Sequence, residues 1–193
     1  MTDWKWILSN KIVHRRRYKY YSSEFEVKKF AKTLKGNLFI DIGSNRKAYA
    51  KILRKNFKQI LTIDANIKWH PDLNVAISNF NGPTHFYIGD NKGGADSLLH
   101  NPHILGKEWV NNPSEYMVEA LTFDTLKLKA DLVKIDVEGG EFNVLEGMVK
   151  YIPKMVIVEL HDERREQELV DVLMAKHYSV HKIDGTHFYG EQI

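Results

Sequence analysis

The chain has 193 residues, of which 43% are hydrophobic and 27% charged, and no apolar run in it is long enough to cross a bilayer. This length suits one domain with a substantial core, and the composition is typical of a globular protein. The absence of cysteine excludes disulfides, thiolate metal sites and a cysteine nucleophile. A basic cluster follows the first apolar stretch, which is the reverse of a secretory signal, so we expect a cytoplasmic protein.

The net charge of +3 is unevenly distributed. Residues 1–36 hold ten lysines and arginines against three acidic residues, which gives +7, and the rest of the chain carries −4. We interpret 1–36 as a basic helical extension of the domain formed by 37–193. Its segment HRRRYKYY, 14–21, could bind nucleic-acid phosphates and stack bases, but a solvated helix face has the same composition.

Helical and strand patterns alternate along the chain. Ser23 and Glu26 form a capping-box pattern before a helix that Gly36 ends. Further apolar stripes predict helices after the first, sixth and seventh strands. This alternation predicts an α/β fold with a mostly parallel sheet, helices on both faces and an antiparallel C-terminal hairpin. The predicted strands are 37–42, 59–65, 74–78, 85–89, 117–123, 131–137 and 154–160, followed by 178–183 and 186–190 around a turn at Asp184-Gly185.

Polar residues follow five of the apolar strands, at the edge where parallel sheets bind ligands. Any one of them could be a helix cap or a turn residue, but their joint occurrence favours a binding site. They are Asp41, Asp64, Ser78, Asn79, Asp136, Glu138, Glu159 and His161.

The first two strand ends suggest a nucleoside cofactor. Asp64 follows Asp41 by 23 positions, where a carboxylate can bind both hydroxyls of a ribose. Gly43 would let the backbone approach a ligand, and the amides of Ser44 and Asn45 could bind a carboxylate or phosphate. The loop has too few glycines for a dinucleotide, and the chain has no P-loop motif. S-adenosylmethionine, a nucleoside with a short charged tail, is therefore the leading candidate.

Longer motifs extend this interpretation. FIDIGSN, AISNFNGPTHFYI, ALTFDTL, DLVKIDVEGGEFNVLEGM and MVIVELH occur in this order between about 38 and 162. Together they resemble the motifs of the FkbM-type methyltransferases, which are S-adenosylmethionine-dependent O-methyltransferases. The resemblance implies a Rossmann-like class I methyltransferase fold with a seven-stranded sheet whose last strand is antiparallel. It also implies that Ser97, in the glycine-rich stretch 89–100, lies near the cofactor. The predicted cofactor-binding residues are Asp41, Gly43, Ser44, Asn45, Asp64, Ala65, Ser78, Asn79, Asp136 and Glu138.

The predicted reaction is in-line methyl transfer to a hydroxyl on a sugar, a glycan or a small metabolite, and such a poor nucleophile benefits from a base. His161 is the first candidate because histidine titrates near neutrality. Asp136 and Lys134 share one side of their strand. Asp136 could contact the methionine moiety of the cofactor or orient the substrate, and Lys134 could pair with Asp136 or hold the substrate. Asp136, Glu159 and His161 could also bind a divalent cation. No metal-binding spacing is evident, however, and we predict no metal.

Two alternatives remain open. A nucleic-acid methyltransferase would use the basic N-terminal arm, although the chain lacks an N-P-P-Y-type tetrad for base amino groups. A non-catalytic binding module is suggested by Lys47, which stands where the family turn has glycine. A left-handed backbone costs such a residue roughly 1–2 kcal/mol. Its side chain would either obstruct the pocket or bind the methionine carboxylate. The oligomeric state is not predicted.

Overall fold

The computed structural model describes residues 23–89, 96–98 and 114–193. The basic segment 14–21 lies outside these ranges, as does most of the glycine-rich stretch 89–100. Within the described ranges, no helix has the length and apolar character needed to span a membrane.

Six strands form the central sheet, which supports the predicted α/β class. Four of them run parallel, and the last strand of the chain lies antiparallel to both of its neighbours, as predicted for a C-terminal hairpin. Nine strands occur in the described residues: β1 (Gly36–Ile42), β2 (Phe57–Ile63), β3 (Ala76–Ser78), β4 (Gly82–Ile88), β5 (Ser114–Thr122), β6 (Leu132–Ile135), β7 (Met155–Glu159), β8 (Tyr178–Lys182) and β9 (His187–Gln192). The order in the central sheet is β2-β1-β6-β7-β9-β8.

The predicted seven-stranded sheet is not confirmed, because β3, β5 and β4 form a separate three-stranded sheet in that order. Between β2 and β3, the chain forms an isolated parallel β-bridge with the central sheet, which pairs Leu73 with Ile63. The side chain of Asn74 then donates to the carbonyls of Asp64 and Ala65, at 2.8 and 2.9 Å. A side chain thus takes the place of the backbone ladder, and β3 pairs with β5 instead.

Helices cover both faces of the central sheet, as predicted. The described helices are α1 (Ser23–Ala31), α2 (Ala48–Leu53), α3 (Glu141–Glu146) and α4 (Glu166–Ala175). Successive strand residues point to opposite faces. In β1, Phe39 therefore packs with α1 and α2, whereas Ile40 and Ile42 pack with α3 and α4. This alternation puts Asp41 on the α1 and α2 side, at the buried end of β1.

Candidate functional site

A cavity of about 670 Å³, including its open mouth, lies at the carboxyl ends of the parallel strands. Seven of the predicted cofactor-binding residues line it: Gly43, Asn45, Asp64, Ala65, Ser78, Asp136 and Glu138. Its apolar walls are Ile42, Ile63, Val75, Ile77, Phe86 and Leu98.

Three predicted cofactor-binding residues are not part of this wall. Asp41 is buried on the other side of β1 with 1% of its surface exposed, and neither carboxylate oxygen has a hydrogen-bond partner among the described residues. Burial raises the pKa of Asp41 to about 6, against the opposing effect of Lys134. Ser44 is also buried, and Asn79 donates to Glu146 at 2.7 Å instead.

The turn after β1 requires glycine because of its packing. Gly43 has a φ of +71°, and a Cβ there would lie 1.7 Å from the carbonyl oxygen of Asp136. Its amide donates to the carbonyl of Ile63 at 2.9 Å, and the amide of Ser44 donates to the same oxygen at 3.1 Å. The turn is therefore tied to the ends of both β2 and β6, and the Ser44 amide is already used within the protein.

Asp64 is held in one orientation by the backbone. Its Oδ2 accepts from the amide of Asn45 at 2.7 Å, and its Oδ1 accepts from the amide of Asn66 at 2.8 Å. Burial raises the pKa of Asp64, although these two bonds oppose the shift. Each carboxylate oxygen has a second lone pair, so the fixed Asp64 can still accept hydrogen bonds from a ligand in the cavity.

Lys47 is strained but does not block the cavity. Its backbone is left-handed, with φ +59° and ψ +38°. Its ammonium lies 3.8 Å from Oδ1 of Asp72. The other carboxylate oxygen of Asp72, Oδ2, accepts a hydrogen bond from the hydroxyl of Thr62. Lys47 is not among the residues that line the cavity. The two expected roles of this side chain, obstruction of the pocket and contact with a cofactor, both require a position that it does not occupy.

Lys134 is a buried cation that pairs with Asp136. This pairing is one of the two roles expected for Lys134, the other being contact with the substrate. Only 2% of Lys134 is exposed, and its Nζ donates to Oδ2 of Asp136 at 2.7 Å. Burial alone would lower the pKa of Lys134, but Asp136 and Asp41 outweigh it and raise the pKa. Burial would likewise raise the pKa of Asp136, but Lys134 and His161 keep it low. Each charge therefore favours the ionised form of the other, which disfavours Lys134 as a base.

His161 lies among three carboxylates. Its Nδ1 is 2.8 Å from Oε1 of Glu141, and its Nε2 is 3.1 Å from Oε2 of Glu138 and 3.8 Å from Oδ1 of Asp136. Burial would lower the pKa of His161, but the bonds to Glu138 and Glu141 raise it well above its usual value. These contacts favour the protonated ring, whereas the predicted role as a base needs a neutral ring.

Glu138 connects this cluster to the cavity. It lines the cavity and has a left-handed backbone with φ +51°. Burial raises the pKa of Glu138 to about 7, against the opposing hydrogen bond from His161. Its carbonyl accepts from Oγ of Ser97 at 2.9 Å. Ser97 is thus near the cavity, as the family resemblance implies.

Sequence reasoning missed the residues that support the cluster from behind. Glu141, 1% exposed at the start of α3, binds His161. His187, 0% exposed in β9, lies 3.2 Å from Oε2 of Glu159 and 2.9 Å from Oδ1 of Asp184. The only signal for Asp184 was its place in a turn, and no local pattern connects β9 with β7.

Comparisons with known proteins agree with this geometry. The family model described as "Methyltransferase FkbM domain" matches residues 25–183. The chain is similar to a structure of the E. cuniculi Mtq2-Trm112 complex, described as responsible for methylation of the eRF1 translation termination factor, with 11% identity and a TM-score of 0.50 over 93% of this chain and 98% of that one. It is also similar to precorrin-6y C5,15-methyltransferase from Geobacter metallireducens GS-15, with 11% identity and a TM-score of 0.52 over 90% and 93%. At this identity the two structures show the fold alone. The search of curated proteins found no match.

Proposed function

This chain belongs to the FkbM methyltransferase family, and we propose that it transfers a methyl group from S-adenosylmethionine to a hydroxyl of a sugar, a glycan or another small metabolite. The observation that carries the proposal is Asp64, a carboxylate fixed by two backbone amides in the wall of a mostly apolar cavity. The fold and the family support methyl transfer, and the polar groups of the cavity support the choice of hydroxyl acceptor.

The chemistry of the cavity fits an adenosine-bearing cofactor. Asp64 offers lone pairs to a pair of adjacent hydroxyls, and Val75, Ile77 and Phe86 offer apolar surface to a flat base. When bound, S-adenosylmethionine supplies an electrophilic methyl group. Lys47 does not line the cavity, which removes the main argument for a non-catalytic binding module.

The acceptor would bind where Asp136 and Glu138 enter the cavity wall. Carboxylates accept hydrogen bonds and donate none, so they favour an acceptor rich in hydroxyl groups. Lys134 acts as a positioning residue, since its ammonium fixes Oδ2 of Asp136. Glu138, whose pKa is raised by burial to about 7, takes up the proton that the acceptor hydroxyl loses.

Titration calorimetry with S-adenosylmethionine tests the cofactor part of this proposal. We expect the wild-type protein to bind, and Asp64→Asn to bind at least tenfold more weakly, which corresponds to about 1.4 kcal/mol. Asp171→Asn is the matched control, because it makes the same change at an exposed position on α4. Thermal unfolding checks that both variants are folded. No binding by the wild type, or equal binding by all three proteins, would contradict the proposal.

Transfer of a labelled methyl group tests the acceptor. Sugars and polyols are offered with labelled S-adenosylmethionine, and the product is treated with mild alkali. A methyl ether survives this treatment, whereas a methyl ester is hydrolysed. RNA and DNA are offered in parallel. Label transferred to nucleic acid alone, or released by alkali, would refute hydroxyl methylation of a small acceptor.

A further inference from the structure

Asp136, Glu159 and His161 are held in the same way, although they come from different places in the chain. Each has one polar atom in contact with a buried residue behind it. Lys134 binds Oδ2 of Asp136, His187 faces Oε2 of Glu159, and Glu141 faces Nδ1 of His161. These three contacts are 2.7, 3.2 and 2.8 Å long. All three supporting residues are nearly inaccessible to solvent, so the three side chains are fixed in orientation.

The remaining polar atoms of these residues converge. One ligand atom from each lies within 4.8 Å of the other two. The Nε2 of His161 lies 3.1 Å from Oε2 of Glu138 and 3.8 Å from Oδ1 of Asp136, so a cation bound to this nitrogen would replace the proton that it shares with Glu138. An imidazole whose far nitrogen is bound to a carboxylate, together with carboxylates bound from behind, is the arrangement that orients metal ligands in proteins.

We propose that Asp136, Glu159 and His161 bind a divalent cation at the cavity. One imidazole nitrogen and two carboxylate oxygens are a donor set suited to Mn²⁺ or Mg²⁺, with Mn²⁺ favoured by the imidazole. The sequence predicted no metal here, because these separations match no metal-binding motif. Asp136 precedes Glu159 by 23 positions and His161 by 25, and only Glu159 and His161 are close together in the chain. The ends of β6 and β7 bring them together, since these strands are neighbours in the sheet.

A cation here would be next to the reaction site. Asp136 belongs both to the cluster and to the cavity wall. Three protein ligands leave coordination positions open for oxygen atoms of an acceptor. This role in methyl transfer rests on the proposed function, whereas binding of the cation does not.

Binding of Mn²⁺ to the full-length protein, measured by electron paramagnetic resonance and calorimetry, tests the inference. We expect one Mn²⁺ per chain in the wild type and at least tenfold weaker binding in Glu159→Gln and His161→Gln. Glu163→Gln is the matched control, because it removes an exposed carboxylate only two residues beyond His161. A wild type that does not bind Mn²⁺, or variants that bind as tightly as the control, would overturn the inference.

A measurement on the wild type alone covers the case in which a variant fails to fold. Paramagnetic Mn²⁺ broadens amide signals near its site, so the inference predicts broadening around 134–141 and 157–161. Broadening centred elsewhere would overturn it. Calorimetry with S-adenosylmethionine on the wild type separates the two proposals. A wild type that binds S-adenosylmethionine but not Mn²⁺ refutes only the metal site, and one that binds Mn²⁺ but not S-adenosylmethionine refutes only the proposed function.

Discussion

Replacing Lys47 with glycine and with alanine tests whether the cofactor turn is strained rather than obstructed. Both substitutions remove the 3.8 Å contact with Asp72, so they differ only in backbone preference. A φ of +59° costs a residue with a Cβ roughly 1–2 kcal/mol. Glycine loses about 0.5–1 kcal/mol more chain entropy than alanine. Lys47→Gly should therefore be more stable than Lys47→Ala by about 1 kcal/mol.

Thermal unfolding followed by circular dichroism measures this difference. The same pair of substitutions at Lys127 is the matched control, because Lys127 is exposed and has a φ of +53°. In a chain of this size we expect the glycine variants to melt about 2–4 °C above the alanine variants. An alanine variant as stable as its glycine counterpart would refute the strain argument. Lys47→Gly should also leave the affinity for S-adenosylmethionine within about twofold, and a tenfold change in either direction would refute the placement of this side chain.

Two further predictions concern stability. Gly43→Ala should lower the free energy of unfolding by about 3 kcal/mol, because overpacking against the carbonyl of Asp136 adds to the backbone strain. Gly82 also has a positive φ but has open space around it, so Gly82→Ala should cost only about 1 kcal/mol in the same thermal melts. Asp131→Asn should cost about 2 kcal/mol at pH 7, because a bond from Lys154 and two from backbone amides hold the pKa of Asp131 below its usual value. A lowered folded-state pKa stabilises the protein above about pH 4 and less as the pH falls further, so the difference from the wild type should shrink at pH 3. A loss of stability in Asp131→Asn that does not change with pH would contradict the role of its charge. Equal losses for Gly43→Ala and Gly82→Ala would contradict the packing argument.

The central strands and the edge that carries the site could be predicted from the sequence. Apolar runs bounded by polar residues mark β1, β2, β6 and β7 directly, and the rule that ligands gather at their carboxyl ends placed Asp64 and Asp136 in the cavity wall. Lys134 was also predictable, because a cation in an apolar strand needs a partner and Asp136 lies on the same side.

The rest depended on contacts that no local pattern records. Side chains alternate between the two faces of a sheet only while the residues are paired in a strand. Asn79 follows the last residue of β3, and its side chain faces Glu146 rather than the cavity. Where β3 leaves the central sheet, the side chain of Asn74 donates to the carbonyls of Asp64 and Ala65, and nothing in the sequence distinguishes Asn74 from an ordinary loop residue. His187 lies next to Glu159 because β9 pairs with β7, and this pairing of distant segments leaves no local pattern in the sequence.

Asp41 has a consequence for protein engineering. Burial disfavours the ionised form of Asp41 more than Lys134 and the amide of Ala50 favour it, and an incompletely compensated buried polar group costs about 1–3 kcal/mol. A library selected for heat resistance should therefore enrich apolar or neutral replacements at this position. Selection for turnover should retain the aspartate, since its charge favours the ionised form of Lys134, and Lys134 fixes Asp136 in the cavity wall. Sequencing the survivors of both selections would show this conflict at a single codon.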